Sequence, residues 1–424
     1  MMARLLGASS TGGFSCSGGT GWSGVSSSFP PGGKYEFVNY NFTGAASTVK
    51  LYGVNGVGKG FQFDGTTLVF ITTGMTVDTP TKIAAHRHHL FFGYPGGSVQ
   101  HSSLGDPLTW SPTLGAAELA MGDEITDLVT AGPTSLLIMA KNSLAALYGN
   151  DASDWQIEIL TNEAGAIPHT AEKLGTIIYM DNRGIRSVAT TAAFGNFAIG
   201  TMTQMVAPLL RNKLGDGQFP VASCRVRARD TYRVFFADGT GISVYMGKKT
   251  PEVMAIDLGV PVNVCCSAET DEGLEKVWIG SDNGFVYQLD KGRSFDGEAV
   301  NYHLRLPFNH QGMPHTSKRM HKVSIEYDAP GSINLSITGE VDYADPSEPP
   351  LAEHNAAAQG GGGYWDAVDW DEFYWSAPVE GNMEVYIDGV GESVSLLLGG
   401  EQADEEPHIL QGMTLFYSVR GLSR

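Results

Sequence analysis

The sequence has few cysteines, no long apolar run and few basic residues. Its four cysteines, Cys16, Cys224, Cys265 and Cys266, form neither a Cys-x-x-Cys pair nor another zinc-ligand spacing, so we expect reduced, partly buried thiols. No stretch approaches the roughly 18 apolar residues of a membrane span, and the amino-terminal residues lack the apolar core of a secretory signal. These absences predict a protein without a membrane span that is made in a reducing cytoplasm.

Basic residues are outnumbered by acidic ones, with 27 Lys and Arg against 46 Asp and Glu and a formal net charge of -19. Proteins that hold nucleic acid usually present a basic face, because much of their affinity comes from neutralising phosphates. The balance therefore argues against tight DNA binding. An acidic surface would suit a channel through which DNA slides, because it does not hold the phosphates. On the wall of such a channel we expect Asp and Glu to outnumber Lys and Arg.

Glycine is abundant, at 54 of 424 residues, against a usual share of about 7%. From 35 to 298, β-rich runs alternate with turns of Gly, Asp or Asn, residues that tolerate the positive φ of tight hairpins. The clearest turns lie at 64–65, 182–184, 238–239 and 282–284. Six β-rich blocks follow one another, at 35–74, 83–110, 124–160, 170–200, 222–258 and 262–292. This pattern predicts an all-β fold with a β-propeller of about six blades.

The flanking segments differ from the repeated part. Residues 1–34 are rich in Gly, Ser and Thr and predict a flexible or extended arm. Helical spacing of apolar residues predicts one short helix within 202–214, starting or interrupted near Pro208. Residues 299–424 alternate apolar and polar positions in several runs, which predicts a C-terminal β-sandwich-like domain.

Three motifs could indicate a catalytic or ligand-binding site. Gly53, Gly58 and Lys59 match the phosphate-binding pattern G-x-x-x-x-G-K, but Gly60 replaces the Mg²⁺-binding Ser or Thr and strands follow instead of a helix, so we interpret the segment as a turn. SLGDPLTW (103–110) is similar to the sialidase Asp-box with its Asp and Gly exchanged. Asp-boxes are structural hairpin turns, so this motif indicates a propeller more than a glycosidase, which would also need converging Arg and acidic groups.

The third motif is HRHHL, with His86, His88 and His89. We expect His86 and His88 to share one strand face, where two ring nitrogens could begin a metal site. Two ligands are not enough, and His101 is the nearest further candidate. The interpretation we prefer is polar strand positions, with no metal and no cofactor.

Two clusters are candidate interfaces. Trp365, Trp370 and Trp375 recur every five residues in YWDAVDWDEFYW (364–375), which suits neither helix nor strand and predicts an interface loop; a Ca²⁺ or carbohydrate site is the alternative. Lys318, Arg319 and Lys322 form the one dense basic stretch of the sequence. They mark either a solvated strand end or a contact with an acidic neighbour or DNA.

Several segments, taken in order, resemble the β-propeller tail proteins of short-tailed phages, known as tail nozzle, tail tubular protein B or packaged-DNA stabilisation proteins. The resemblance covers about 50–424 and rests on these runs: GKGFQFDGTTLVFITTG, HRHHLFFGYPGGSVQHSSLGDPLTW, GIRSVATTAAFGNFAIGTMTQMVAPLL, KRMHKVSIEYDAP, YWDAVDWDEFYW and LQGMTLFYSVRG. The arginine-rich opening of longer members is missing, so the resemblance assigns no role to residues 1–34.

The resemblance implies a non-enzymatic virion protein, assembled in the host cytoplasm into a ring that is usually a hexamer. The ring would contact the portal or head-to-tail adaptor and other tail proteins, and it would retain and conduct the genome without sequence-specific DNA binding. Two alternatives stay open: a receptor-binding or glycan-cleaving propeller, and a cellular propeller that binds peptides.

Overall fold

The computed structural model describes residues 5–9, 12–16, 22–26, 29–45, 48–189, 206–248, 250–270, 273–292, 294–329, 332–343, 354–359, 380–400 and 408–422. The chain divides into two compact units, Met1–Asp290 and Lys291–Arg424. The boundary drawn from the sequence, between 298 and 299, lies slightly farther along the chain.

The first unit begins with a three-stranded antiparallel sheet of β1 (Leu5–Ser9), β2 (Gly12–Cys16) and β3 (Trp22–Ser26). The sequence predicted a flexible or extended arm over 1–34, and three short extended strands lie within that range. Backbone hydrogen bonds between antiparallel strands do not require alternating apolar side chains, which explains why a search for periodicity missed them.

Six further sheets follow in chain order, and the strands of each are paired antiparallel in sequence order. They are termed blades 1 to 6. Blade 1 contains β4 (Glu36–Tyr40), β5 (Lys50–Val54), β6 (Phe61–Phe63) and β7 (Leu68–Phe70). Blade 2 contains β8 (Lys82–His86), β9 (His89–Gly93), β10 (Ser98–His101) and β11 (Ala117–Ala120). Blade 3 contains β12 (Ile125–Thr130), β13 (Ser135–Ala140), β14 (Leu144–Tyr148) and β15 (Gln156–Thr161). Blade 4 contains β16 (Glu172–Leu174), β17 (Thr176–Asp181) and β18 (Gly184–Ser187). Blade 5 contains β19 (Pro220–Val226), β20 (Thr231–Phe236), β21 (Thr240–Tyr245) and β22 (Glu252–Asp257). Blade 6 contains β23 (Val264–Glu269), β24 (Glu275–Gly280) and β25 (Val286–Leu289).

The four hairpins predicted from turn residues are confirmed. They are the pairs β6 with β7, β17 with β18, β20 with β21, and β24 with β25. At Gly65 and Gly239 the φ angles are 98° and 90°. L side chains rarely adopt this region, so glycine suits both turns.

Successive blades bury apolar faces against each other, as the layers of a propeller do. The shared clusters pair Tyr52 with Phe92, Phe91 with Leu136, Leu137 with Tyr179, and Met180 with Val234. The all-β propeller predicted from the sequence is confirmed, and six sheets agree with the expected blade number.

One α-helix interrupts the blades in the described residues, α1 (Ala207–Gly215), between blades 4 and 5. Pro208 lies in its first turn, where a missing N–H costs nothing. Leu210 is buried in the core shared by blades 4 and 5. The sequence placed the helix at 202–214, and the first part of that range lies outside the described residues.

The second unit contains two antiparallel sheets, with strand orders β26-β31-β28-β29 and β30-β27-β32. A single apolar core contains residues of both, including Val323 and Val385 from one sheet and Ile337 and Leu398 from the other. This is the sandwich-like arrangement predicted for the C-terminal part. The strands are β26 (Tyr302–Arg305), β27 (Thr316–Asp328), β28 (Ser332–Val341), β29 (His354–Gln359), β30 (Glu380–Gly391), β31 (Val394–Gly400) and β32 (Ile409–Leu422).

Candidate functional site

A central cavity of about 670 Å³ lies where the first strands of all six blades meet. Its wall includes one or more residues of each of these strands, among them Glu36, Ala84, Asp127, Glu172, Arg225 and Cys265. Because the first strand of every blade borders one space, the six sheets form a closed ring around it.

A buried ionic network joins three segments of this ring. Lys82, at the start of β8, donates to the carboxylate of Glu36 on β4. Nδ1 of His169, which precedes β16, lies 2.9 Å from Glu36 Oε1 and 3.1 Å from Lys82 Nζ. The backbone φ of His169 is +63°, a left-handed conformation that costs free energy in a non-glycine residue. The network therefore holds this imidazole in place against backbone strain.

The network sets the charges of its members. Burial opposes ionisation of Glu36, but the charge of Lys82 and the hydrogen bond from His169 outweigh it and lower the pKa of Glu36. Burial and the nearby charge of Lys82 lower the pKa of His169, although Glu36 acts in the opposite sense. The result is a Lys–Glu ion pair beside an imidazole that resists protonation.

Two other carboxyl groups of the wall ionise with difficulty. Burial raises the pKa of Asp127 to about 6, a shift that Lys82 opposes and Glu36 increases. Burial also raises the pKa of Glu172 to about 7, although Arg225 Nη1 lies 3.5 Å from Glu172 Oε2 and favours the anion. Two acids that exchange protons near neutral pH are the groups that a general acid or base would need.

Cations complete the cavity wall. Burial and the charge of Lys82 lower the pKa of Lys34 to about 8. The lining contains three carboxyl groups, Glu36, Asp127 and Glu172, and three cationic side chains, Lys34, Lys173 and Arg225. Acidic residues thus do not outnumber basic ones in the lining of this cavity.

The histidine motif folds differently from our expectation. Arg87 and His88 form the two-residue turn between β8 and β9, with φ angles of 50° and 59°, so His86 and His88 do not share a strand face. Positive φ at both positions is the geometry of a tight hairpin turn, which usually selects Gly or Asn. His86 instead pairs with His89 across the hairpin.

His86, His89 and His101 gather around Trp155. The ring centroids of His89 and His101 are 4.9 Å apart, and Trp155 Nε1 donates to His101 Nε2 at 3.1 Å. Burial is the main cause that lowers the pKa of both His86 and His101 to about 4. Within the described residues no group of His, Cys, Asp and Glu has a metal-binding arrangement. The rings form an aromatic cluster between blades 2 and 3, in which His86 and His101 resist protonation.

The other two motifs form turns. Asp106 accepts hydrogen bonds from Leu108 N and Thr109 Oγ1 at 3.0 and 2.6 Å, and Trp110 stacks on Phe92 at 4.8 Å. This closes the loop after β10, the structural role expected of an Asp-box. The glycine-rich segment 53–60 connects β5 directly to β6, so no helix follows it to hold a phosphate.

The candidate interface residues fall into three groups. Lys318 is buried, and its Nζ donates to the carbonyls of Met313, Thr316 and Glu392 at 2.7, 2.9 and 2.7 Å. That position removes it from any interface, because three acceptors of its own chain satisfy the ammonium group. Arg319 and Lys322 lie on the outer surface of the β30-β27-β32 sheet. Trp365, Trp370 and Trp375 lie outside the described residues.

Sequence reasoning missed the network of Glu36, Lys82 and His169. Glu36 lies in the first β-rich block, whereas Lys82 and His169 each lie one residue before a later block, and no spacing links the three. A hint of a buried charge is Lys82, which directly precedes the apolar residues Ile83 and Ala84 of β8. A search for charged residues at inward positions of first strands would have found it.

The comparisons with known proteins do not assign this chain to a family. No family model matches the sequence, and no curated protein matches it. Among solved structures, a BBS1N–ARL6DN complex soaked with mercury matches with a TM-score of 0.43 and 13% identity over 61% of this chain and 79% of the other. A chain of the mitotic checkpoint complex matches with a TM-score of 0.44 and 11% identity over 67% and 88%. Of the helices in the described residues, none is long and apolar enough to cross a membrane.

Proposed function

We propose that this chain is a structural protein of a phage tail, which assembles with copies of itself into a ring around the DNA exit channel. The resemblance of six segments to the tail nozzle proteins supports this, together with the division into a propeller and a sandwich-like unit. In that role the protein would contact the head-to-tail adaptor and conduct DNA without binding its sequence.

The proposal of a ring of several copies rests on the size and charge of the central cavity. A sphere of 670 Å³ is about 11 Å across, narrower than the roughly 12 Å width of the major groove of B-DNA alone. Ion pairs also neutralise its wall. Duplex DNA must therefore pass outside the propeller, and a closed channel then requires several copies. We expect the wall of that channel to hold the acidic excess.

Electron microscopy of the purified chain and of the phage particle tests the proposal. We expect closed rings, with six copies the leading symmetry, and the same protein in the tail. A lumen map should show more Asp and Glu than Lys and Arg. A chain that stays monomeric and is missing from the particle would refute the proposal.

A second candidate function follows from Asp127 and Glu172. Glycoside-cleaving enzymes use two carboxyl groups, of which the general acid has a raised pKa; the cavity holds two carboxyl groups with raised pKa values, and the Asp-box-like turn occurs in a propeller. A glycan array and a turnover assay on sialosides test it. Binding or cleavage that disappears in Glu172→Gln but persists in Glu158→Gln, on exposed β15, would favour the enzyme over the tail protein.

A further inference from the structure

Several large apolar side chains on the outer surface of the β30-β27-β32 sheet are exposed to solvent. Tyr386 is 71% exposed, and Val390 and Phe416 are 43% and 42% exposed. The opposite face of the same sheet packs into the core of the second unit through residues such as Val323 and Val385. The exposed surface, from here on the outer face, consists of Arg319, Lys322, Glu384, Tyr386, Asp388, Val390 and Phe416.

The pairing of the strands makes this surface continuous. Lys322, on the central strand β27, stands directly opposite Tyr386 on β30 and Phe416 on β32. Residues that are paired in an antiparallel sheet project to the same side, so the three side chains form one row across the sheet. Lys322 Nζ lies 4.7 Å from the centre of the Phe416 ring. Large exposed apolar side chains gathered on one face of a sheet are a feature of interaction sites.

The charges on the outer face are ordered by strand. β27 contributes the cations Arg319 and Lys322, and β30 contributes the anions Glu384 and Asp388. Lys322 Nζ lies 2.7 Å from Glu384 Oε1, and Arg319 Nε lies 3.3 Å from Asp388 Oδ1. Over this part of the sheet, two cations on β27 therefore form a positive row beside a negative row of two anions on β30, while Glu326, exposed farther along β27, lies outside the outer face.

We propose that the outer face binds the same face of a second copy of this chain, related by a two-fold axis. Such an axis places the positive row of one copy over the negative row of the other, and it brings Tyr386 and Phe416 of both copies together. Two chains of net charge -19 repel each other over most of their surfaces. Contact is favoured where charge is locally balanced and apolar area can be buried.

This inference does not depend on the tail assignment, because a two-fold contact links any two copies, whether or not rings form. Substitution of Tyr386 and Phe416 by Ser in the full chain removes the apolar part. Sedimentation analysis should show a weakening of two-fold association by at least about tenfold. The matched control is Phe285→Ser, which removes another exposed aromatic ring, in the first unit, and should leave association unchanged.

A charge exchange distinguishes direct contact from a folding defect. Arg319→Glu with Lys322→Glu makes an acidic face, and Glu384→Lys with Asp388→Lys makes a basic one. Each variant alone should lose the two-fold association, whereas an equimolar mixture should regain it, which also shows that both are folded. A monomeric wild type, a mixture that stays apart, or variants that pair as well as wild type would overturn the proposal. Rings that persist in the face variants would leave the tail proposal intact, because a ring is closed by heterologous contacts rather than by this two-fold one.

Discussion

Nδ1 of His169 lies 2.9 Å from Oε1 of Glu36, so the segment before blade 4 contacts the first strand of blade 1. Lys82 of blade 2 completes the contact. Blades that are not neighbours along the chain are thereby joined at the centre of the propeller. Because the contact needs the closed ring, it stabilises the folded unit and contributes nothing to an isolated blade.

Glu36→Gln tests this contact. The change leaves Lys82, whose side chain is 4% exposed, without its anion, and an uncompensated buried charge costs about 3–5 kcal/mol. We expect urea unfolding to show that loss. The control is Glu124→Gln, which breaks an exposed pair in which Lys141 Nζ is 4.0 Å from Glu124 Oε2, and it should cost less than about 1 kcal/mol. Equal losses in the two variants would contradict the assigned role.

Asp127→Asn tests the raised pKa of this carboxyl group of the cavity wall. Its pKa is raised from 3.8 to about 6 on folding, so between these values the folded chain holds more protons than the unfolded chain. The free energy of unfolding therefore falls as pH rises through this window. Asn removes the charge, and we expect stability at pH 8 to increase on the order of 1 kcal/mol, with little change at pH 4. Glu158→Gln should show no such gain, and a loss at pH 8 would refute the argument.

His86→Phe tests the histidine cluster. The pKa of His86 falls from 6.5 to about 4 on folding, so as pH decreases through this window the unfolded chain takes up a proton that the folded chain excludes. Wild-type stability should decline there, and the variant should lose about 1–2 kcal/mol less between pH 7 and pH 5. His88→Asn keeps a residue that tolerates the positive φ of the exposed turn and should follow wild type. Parallel profiles for all three proteins would disprove the cluster effect.

Lys318→Met tests the structural role of the buried lysine. Three backbone carbonyls lose their donor, and we expect the second unit to be destabilised by about 3 kcal/mol. Hydrogen exchange of residues 316–328 should report the change. Lys322→Met, on the exposed outer face, should cost less than about 1 kcal/mol. A larger effect at Lys322 than at Lys318 would reverse our assignment.

Local signals account for what could be predicted. Asp64–Gly65 and Asp238–Gly239 mark hairpins because their residues tolerate positive φ, and the turn chemistry acts within a few residues. The error at His86 and His88 has the same origin. Arg87 and His88 carry no turn signal, yet the antiparallel pairing of β8 with β9 holds both in the left-handed region.

The sequence alone determined the β-rich blocks, most of their turns, the acidic balance and the alternation of the second unit, because these depend on neighbouring residues and on composition. Only the tertiary structure decided that Glu36, Lys82 and His169 share one network, that Lys318 is buried while Lys322 lies half-buried on the outer face, and that Tyr386 and Phe416 flank a single lysine. Those outcomes depend on ring closure and strand register, which join residues far apart in the chain through packing that no local pattern records.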